Sequence, residues 1–128
     1  IMYLAQWASY KYFKKEEFDC QHTGNNLMQH PFMEKLEMLR KSVGRGIQIT
    51  SGYRDKTHPV EAKKEKAGFH ADGIACDILA NHVHALDIIS KAYELGFKGI
   101  GVSQSGGFSS RFIHLDLRDA DTPVLWSY

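Results

Sequence analysis

One of the seven histidines of this 128-residue chain lies in a segment that alternates like a strand. In residues 112–118, isoleucine or leucine at every second position alternates with His114, Asp116 and Arg118. These three side chains therefore share the face opposite the core. An imidazole beside a carboxylate can bind a metal ion or exchange protons. The alternative is that His114 merely packs beside Asp116.

A second segment presents a carboxylate in the same way. In residues 74–79 every second side chain is apolar, which turns Asp77 to the opposite face of the strand. His70 lies just upstream, and nearby glycines allow its loop to fold back. Two imidazoles, one carboxylate and an open fourth position form the ligand set of a catalytic zinc site, where a bound water ionises near neutral pH. The spacing alone leaves a second interpretation, in which Asp77 caps a turn.

Three helices that could support these segments are predicted from the spacing of apolar residues. The strongest covers residues 27–43, where apolar side chains recur at intervals of three and four before Gly44 ends the helix. A second is expected over residues 59–66. Asn81 is expected to cap the third, and Gly96 to follow its last turn. The apolar stripe predicted for the third helix consists of Val83, Leu86, Ile89 and Leu95.

Short strands complete the predicted frame. Alternation and turn residues place them at residues 47–50, 74–79, 99–103, 111–118 and 124–128. Helices followed by several short strands favour an α+β fold, with a small, mostly antiparallel sheet and helices packed on one face. We expect a single domain over residues 1–128, because no linker or repeat divides the chain.

Composition excludes several classes of protein. Sixteen Lys and Arg against fifteen Asp and Glu leave a net charge of +1, without the basic stripe that nucleic-acid binding needs. Cys20 and Cys76 lack CxxC spacing, so neither a thiolate zinc site nor a disulfide framework is predicted. No apolar run could cross a bilayer, and the first residues lack a signal-peptide pattern. We expect a monomer that neither binds nucleic acid nor inserts into membranes.

Three motifs, taken in order, resemble the zinc D-Ala-D-Ala carboxypeptidase family, which has the Hedgehog/DD-peptidase fold. They are SGYR at residues 51–54, HADGIACD at residues 70–77, which matches the family's HxxGxAxD, and FIHLD at residues 112–116. The glycine-rich strand at residues 99–102 also matches. The resemblance runs from about residue 18 to residue 126 and implies an antiparallel sheet with helices.

The resemblance implies a role for each matching residue. His70, Asp77 and His114 are similar to the family's zinc ligands. Arg54 is similar to the arginine that binds substrate and stabilises the oxyanion, which suits a fixed guanidinium near a metal ion. His58, four residues after Arg54, could reach the site or begin the helix that follows it.

One departure from the family concerns the general base. Several branches carry Glu or His two or three residues before the last ligand, but this chain has Phe112 and Arg111 there. Asp116, two residues after His114, is the nearest carboxylate. We expect Asp116 to orient His114 or to help move protons. The HxD pattern resembles the short murein-peptidase and phage-lysin branch of the family.

The expected function is a zinc metallopeptidase that hydrolyses stem or cross-link peptides of peptidoglycan, as a carboxypeptidase or an endopeptidase. With no evident export signal or wall-binding module, the chain resembles a bacteriophage endolysin. Such a protein acts on the bacterial cell wall or periplasm after release from the host cytoplasm through a separate pore. The competing hypothesis is a wall-binding module of the same fold with weak or no catalysis. A structural virion component is a third.

Overall fold

The computed structural model describes residues 3–64 and 68–128, and its centre is a five-stranded sheet. The strands are β1 (Gln48–Ser51), β2 (Ala75–Leu79), β3 (Gly99–Ser103), β4 (Phe112–Asp116) and β5 (Val124–Ser127). They lie in the order β1-β2-β4-β3-β5, and every neighbouring pair is antiparallel except β3 and β5. The predicted α+β class with a mostly antiparallel sheet is confirmed.

Three α-helices accompany the sheet in the described part of the chain. They are α1 (His30–Val43), α2 (Pro59–Ala62) and α3 (His82–Glu94). Helix α1 begins later than predicted, because Gln29 is extended and pairs with Leu4 in an isolated bridge. The proline in its first turn suits a helix start at His30. Gly44 ends α1 in the left-handed conformation, as predicted.

Helix α2 is shorter than the sequence predicts. It ends at Ala62, and the next two residues form a turn and a bend. The remainder of the predicted helix, up to Lys66, lies outside the described residues. Among the residues that the structure describes, no helix has the length and apolar character needed to cross a bilayer.

Helix α3 packs through a different face from the predicted one. Val83 and Leu86 are each 67% exposed, so this part of the predicted stripe is wrong. Ile89 and Leu95 are only partly buried against the core. The side chains that α3 buries are those of Ala85, Ile88 and Ala92. Small side chains let a helix approach its neighbours closely. A prediction based on the large apolar residues of α3 therefore selected the wrong face.

The hydrophobic core lies between α1, α3 and one face of the sheet. Cys76 of β2 and Ile113 and Leu115 of β4 contribute to it, as the alternation predicts. Asp77 directly follows Cys76, and His114 lies between Ile113 and Leu115. Both side chains therefore project from the opposite face. The two residues are paired in register across β2 and β4. The sheet thus positions both side chains at the same point.

Gly73 marks a close approach of two backbone segments beside this face. Its φ of +75° is in the left-handed region, and an added Cβ would overlap the carbonyl oxygen of Leu27. Its own carbonyl accepts a hydrogen bond from the Gln29 N–H at 2.9 Å. The glycine of the HxxGxAxD motif therefore lets the loop before β2 lie against the segment that leads into α1.

We expect Gly73→Ala to destabilise the protein more than Gly24→Ala. Gly24 has a similar φ of +77°, but no atom lies within 4 Å of an added Cβ. Both changes incur the backbone penalty of about 1–2 kcal/mol, and Gly73→Ala adds about 1–3 kcal/mol of overlap. Urea denaturation measures both losses. Equal losses would contradict a close backbone contact at Gly73.

Candidate metal centre

Three potential metal ligands converge on the polar side of the sheet. His70, Asp77 and His114 offer ligand atoms that all lie within 4.8 Å of one another. Asp77 comes from β2 and His114 from β4, whereas His70 comes from the loop that leads into β2. All three residues are buried. The structure therefore brings together the three residues that the motifs predict as ligands.

The distances in this group fit a small tetrahedral ion. Oδ1 of Asp77 lies 3.0 Å from Nδ1 of His114 and 3.4 Å from Nε2 of His70. Ligand atoms at zinc-ligand distances of about 2.0–2.1 Å in a tetrahedral site are about 3.3 Å apart. Two nitrogens and one oxygen also leave a fourth position for another ligand. The group could therefore hold a metal ion.

Hydrogen bonds set the orientation of both imidazoles. Nδ1 of His70 lies 2.8 Å from the carbonyl oxygen of Gly52, and Nε2 of His114 lies 2.7 Å from Oδ2 of Asp116. Because these oxygens can only accept, His70 donates from Nδ1 and His114 from Nε2. Each ring therefore turns its other nitrogen toward Asp77, as a neutral metal-binding imidazole requires.

Five side chains of alternating character cross the site, and we call them the charge chain. They are, in order of contact, Arg54, Asp77, His114, Asp116 and Arg118. Nη2 of Arg54 lies 3.2 Å from Oδ2 of Asp77, and Nη2 of Arg118 lies 2.8 Å from Oδ2 of Asp116. Each buried carboxylate thus has a cationic partner, which offsets the cost of removing it from water.

The same contacts shift the pKa values of the central groups. Burial raises the pKa of Asp77, but the contacts with His114 and His70 outweigh it and lower the pKa. For Asp116, bonds from His114 and Arg118 overcome burial and lower the pKa to about 2. Burial lowers the pKa of His114, but Asp116 and Asp77 raise it overall. Without metal, both carboxylates stay ionised and His114 readily takes a second proton, which a metal ion at Nδ1 would displace.

Asp116 lies beneath His114 and away from solvent. It is 0% exposed, and Oδ1 accepts bonds from the backbone N–H and Nε of Arg118 at 3.0 and 2.9 Å. Oδ2 accepts from His114 and from Nη2 of Arg118. Gly99 leaves room for this carboxylate, because an added Cβ would overlap it. Of the two expected roles, this geometry favours orienting His114 over exchanging protons with water in the cleft.

Arg54 is held on three sides beside the metal centre. Its Nε donates to Oγ of Ser51 at 3.0 Å, Nη1 to Oε2 of Glu61 at 3.3 Å and Nη2 to Asp77. Its side chain is 18% exposed and lines the cleft described below. The guanidinium therefore lies beside the predicted ligand Asp77, with two carboxylates holding its orientation.

Glu61 is a residue of this site that sequence reasoning missed. It is 2% exposed and accepts hydrogen bonds from the Gly68 N–H at 2.7 Å and from Nζ of Lys64 at 3.2 Å, besides Arg54. Desolvation raises its pKa, but these partners lower it overall. Its position in a charged helical segment predicts exposure, and no local signal showed that Arg54 would lie across it.

His58 lies at the start of a helix, which is one of the two roles expected for it. It is the residue before α2, and its Nδ1 accepts a hydrogen bond from the Val60 N–H at 3.1 Å. It does not line the cleft at the metal centre. A side-chain acceptor at this position satisfies a backbone donor of the first helical turn.

A cleft of about 510 Å³ opens onto the metal centre. Asp77 is the one acidic side chain that lines it in the described part of the chain. Phe112, at a position where family branches carry a general base, also lines it, with its ring 5.1 Å from that of Tyr128. Arg111, at the other such position, does not. The aromatic and cationic residues of the cleft are Phe69, Phe112, Trp126, Tyr128, Arg54, Lys64 and Arg118.

Comparison with known proteins identifies the class to which this site belongs. A family model described as Peptidase M15 matches residues 11–116, which is most of the chain. The chain therefore belongs to the peptidase M15 family, and the resemblance to zinc D-Ala-D-Ala carboxypeptidases is confirmed at the level of the family. No individual curated protein matched it. Membership of a peptidase family implies a peptide substrate.

We expect Asp116→Asn to weaken metal binding by about 10- to 100-fold, because His114 loses the anion that orients it and raises its basicity. The control is Asp119→Asn, which removes an exposed carboxylate three residues away. Competition with a chromophoric chelator measures both affinities for zinc. Wild-type affinity in Asp116→Asn would show that His114 does not need an anionic partner at Nε2.

Proposed function

We propose that this protein is a zinc-dependent peptidase that hydrolyses stem or cross-link peptides of peptidoglycan. The observation that supports this most directly is the buried group of His70, Asp77 and His114 at the base of a cleft, in a chain of a peptidase family. Three protein ligands with an open position are typical of catalytic zinc sites, whereas structural sites have four. Mixed imidazole and carboxylate ligands suit zinc.

In this proposal, the residues around the metal site have separate roles. When bound, zinc supplies Lewis acidity and activates water for attack on the peptide carbonyl. Asp116 orients His114, and Glu61 holds Arg54 beside the metal ligands. Three of the five N–H donors of Arg54 are engaged by Ser51, Glu61 and Asp77, which leaves two. These can donate to a substrate carboxylate or to the developing oxyanion.

The setting of the reaction is part of the same proposal. We infer a monomeric, single-domain enzyme that acts on the bacterial wall or in the periplasm, in the manner of a phage endolysin. The cationic side chains around the cleft support an anionic polymer as the substrate, because a cleft lined by positive charge raises the local concentration of anionic ligands.

One observation favours the alternative of a wall-binding module with little or no turnover. In the described part of the chain, the one acidic side chain that lines the cleft is the predicted ligand Asp77, and Asp116 is fully buried. A separate general base is therefore not evident among these residues. In this alternative the cleft binds the peptide, and no bond is broken.

Digestion of defined muropeptides distinguishes the two functions. We expect the zinc-loaded protein to release fragments with new termini, and chelation followed by zinc addition to abolish and then restore this activity. His114→Ala should lose at least about 100-fold in rate, since it removes one of the three residues that would hold the metal. The control is His22→Ala, which removes an exposed imidazole.

Mass spectrometry of the products identifies the bond that is cut. Retained zinc and peptide binding without new termini would establish the binding module instead. If His114→Ala digests walls as fast as the wild type, the zinc mechanism is wrong.

A further inference from the structure

Arg118 ends the charge chain inside the cleft, on the side of His114 away from Asp77. Its Nε and Nη2 donate to the two oxygens of Asp116 at 2.9 and 2.8 Å. A guanidinium presents two edges that can each bind a carboxylate through a pair of N–H groups. Asp116 occupies one of these edges, the one formed by Nε and Nη2.

Two aromatic rings lie against the same guanidinium. The ring of Phe69 lies 4.6 Å from its central carbon, and a ring of Trp126 lies 4.7 Å from it. Gly101 provides the space for Trp126, because an added Cβ would come within 2.7 Å of the indole. Contacts of this kind hold a cation in place and displace water from its faces.

The remaining edge of Arg118 is open. Among residues 3–64 and 68–128, no acceptor bonds to its Nη1. The single buried side-chain polar atom without a partner in this part of the chain is Nδ1 of His84, so Nη1 of Arg118 is accessible to solvent. The side chain is 22% exposed and lines the cleft. Because Asp116 occupies the edge formed by Nε and Nη2, the edge formed by Nη1 and Nη2 is left for a ligand.

This edge is rigid and has no competing acidic side chain in the described lining of the cleft. Asp77, the one acidic side chain there, is already bound to Arg54. Two rings and Asp116 fix the orientation of Arg118, so a ligand pays little of the ordering cost that a free arginine would impose. A planar carboxylate fits such an edge through two parallel N–H···O bonds.

We propose that the open edge of Arg118 binds a carboxylate of the peptide substrate and makes this residue a determinant of specificity. Preferred substrates then carry a carboxylate on the β4 and β5 side of the metal, whereas Arg54 lies on the β2 side. The carboxylate belongs either to the C-terminus of the peptide or to an internal acidic residue. This inference rests on the proposed function in one respect, namely that the cleft binds peptides.

The test compares wall stem peptides with matched peptides that are amidated at the C-terminus, at the internal acidic residue, or at both. Calorimetry on the zinc-loaded protein measures affinity, and kcat/KM is measured separately. One of the two single amides should bind the wild type about 10- to 100-fold more weakly, since a charge-assisted pair is lost. That peptide identifies the source of the carboxylate. In Arg118→Gln, the unmodified peptide and that single amide should bind with affinities within about twofold of each other.

The ratio of the affinities for the unmodified and the amidated peptide distinguishes a loss of specificity from a structural effect of the substitution. Arg118→Gln also frees Asp116, which weakens the hold on His114, but that effect lowers the affinity of acid and amide equally. Arg118→Lys keeps the cation without the two-pronged edge and should retain only part of the preference; it also serves as the second variant if Arg118→Gln does not fold. The control is Arg111→Gln, which alters an arginine outside the cleft and should keep the full preference.

The outcomes distinguish this inference from the proposed function. A wild-type protein with no preference among the peptides, or with no binding at all, overturns the role of Arg118. A preference that survives in Arg118→Gln also overturns it, because the carboxylate then lies elsewhere. If no peptide is cleaved and yet the acid is preferred only when Arg118 is present, the peptidase function fails and the carboxylate site stands.

Discussion

The burial of two carboxylates on either side of one imidazole is the constraint on which the rest of this structure depends. Asp77 and Asp116 flank His114, and a buried carboxylate without partners costs several kcal/mol. An arginine at each end of the charge chain supplies the outer compensation, and a metal ion held by the ligands would supply the inner one. The fold must therefore bring four different segments to one point on the sheet.

The glycine-rich strand β3 follows from the same constraint. Gly99 and Gly101 are paired in register with Asp116 and His114, and each lies beneath a side chain that needs the space. At Gly99 a Cβ would overlap the Asp116 carboxylate, and at Gly101 it would meet the ring of Trp126. The glycines of this segment thus accommodate the site. They are part of its chemistry, although neither carries a functional group.

The two arginines give the cleft its character. Arg54 is oriented by Glu61 and Asp77, and Arg118 by Asp116 and two aromatic rings. Both are held rigidly, and both retain N–H donors for a ligand. In the proposed function, a metal site between two fixed guanidinium groups would suit a peptide that carries negative charge near the bond to be cut.

The sequence by itself determined which side chains leave the core face of β2 and β4, because alternation along a strand is local and depends on nothing else. Asp77 and His114 were predictable for this reason, and the HxxGxAxD match added His70. Only the tertiary structure decided which segments lie over that face: it buried Asp116 under His114 and laid Arg54 across Glu61. It also turned the alanines of α3 inward, since periodicity defines the faces of an element but not its neighbours.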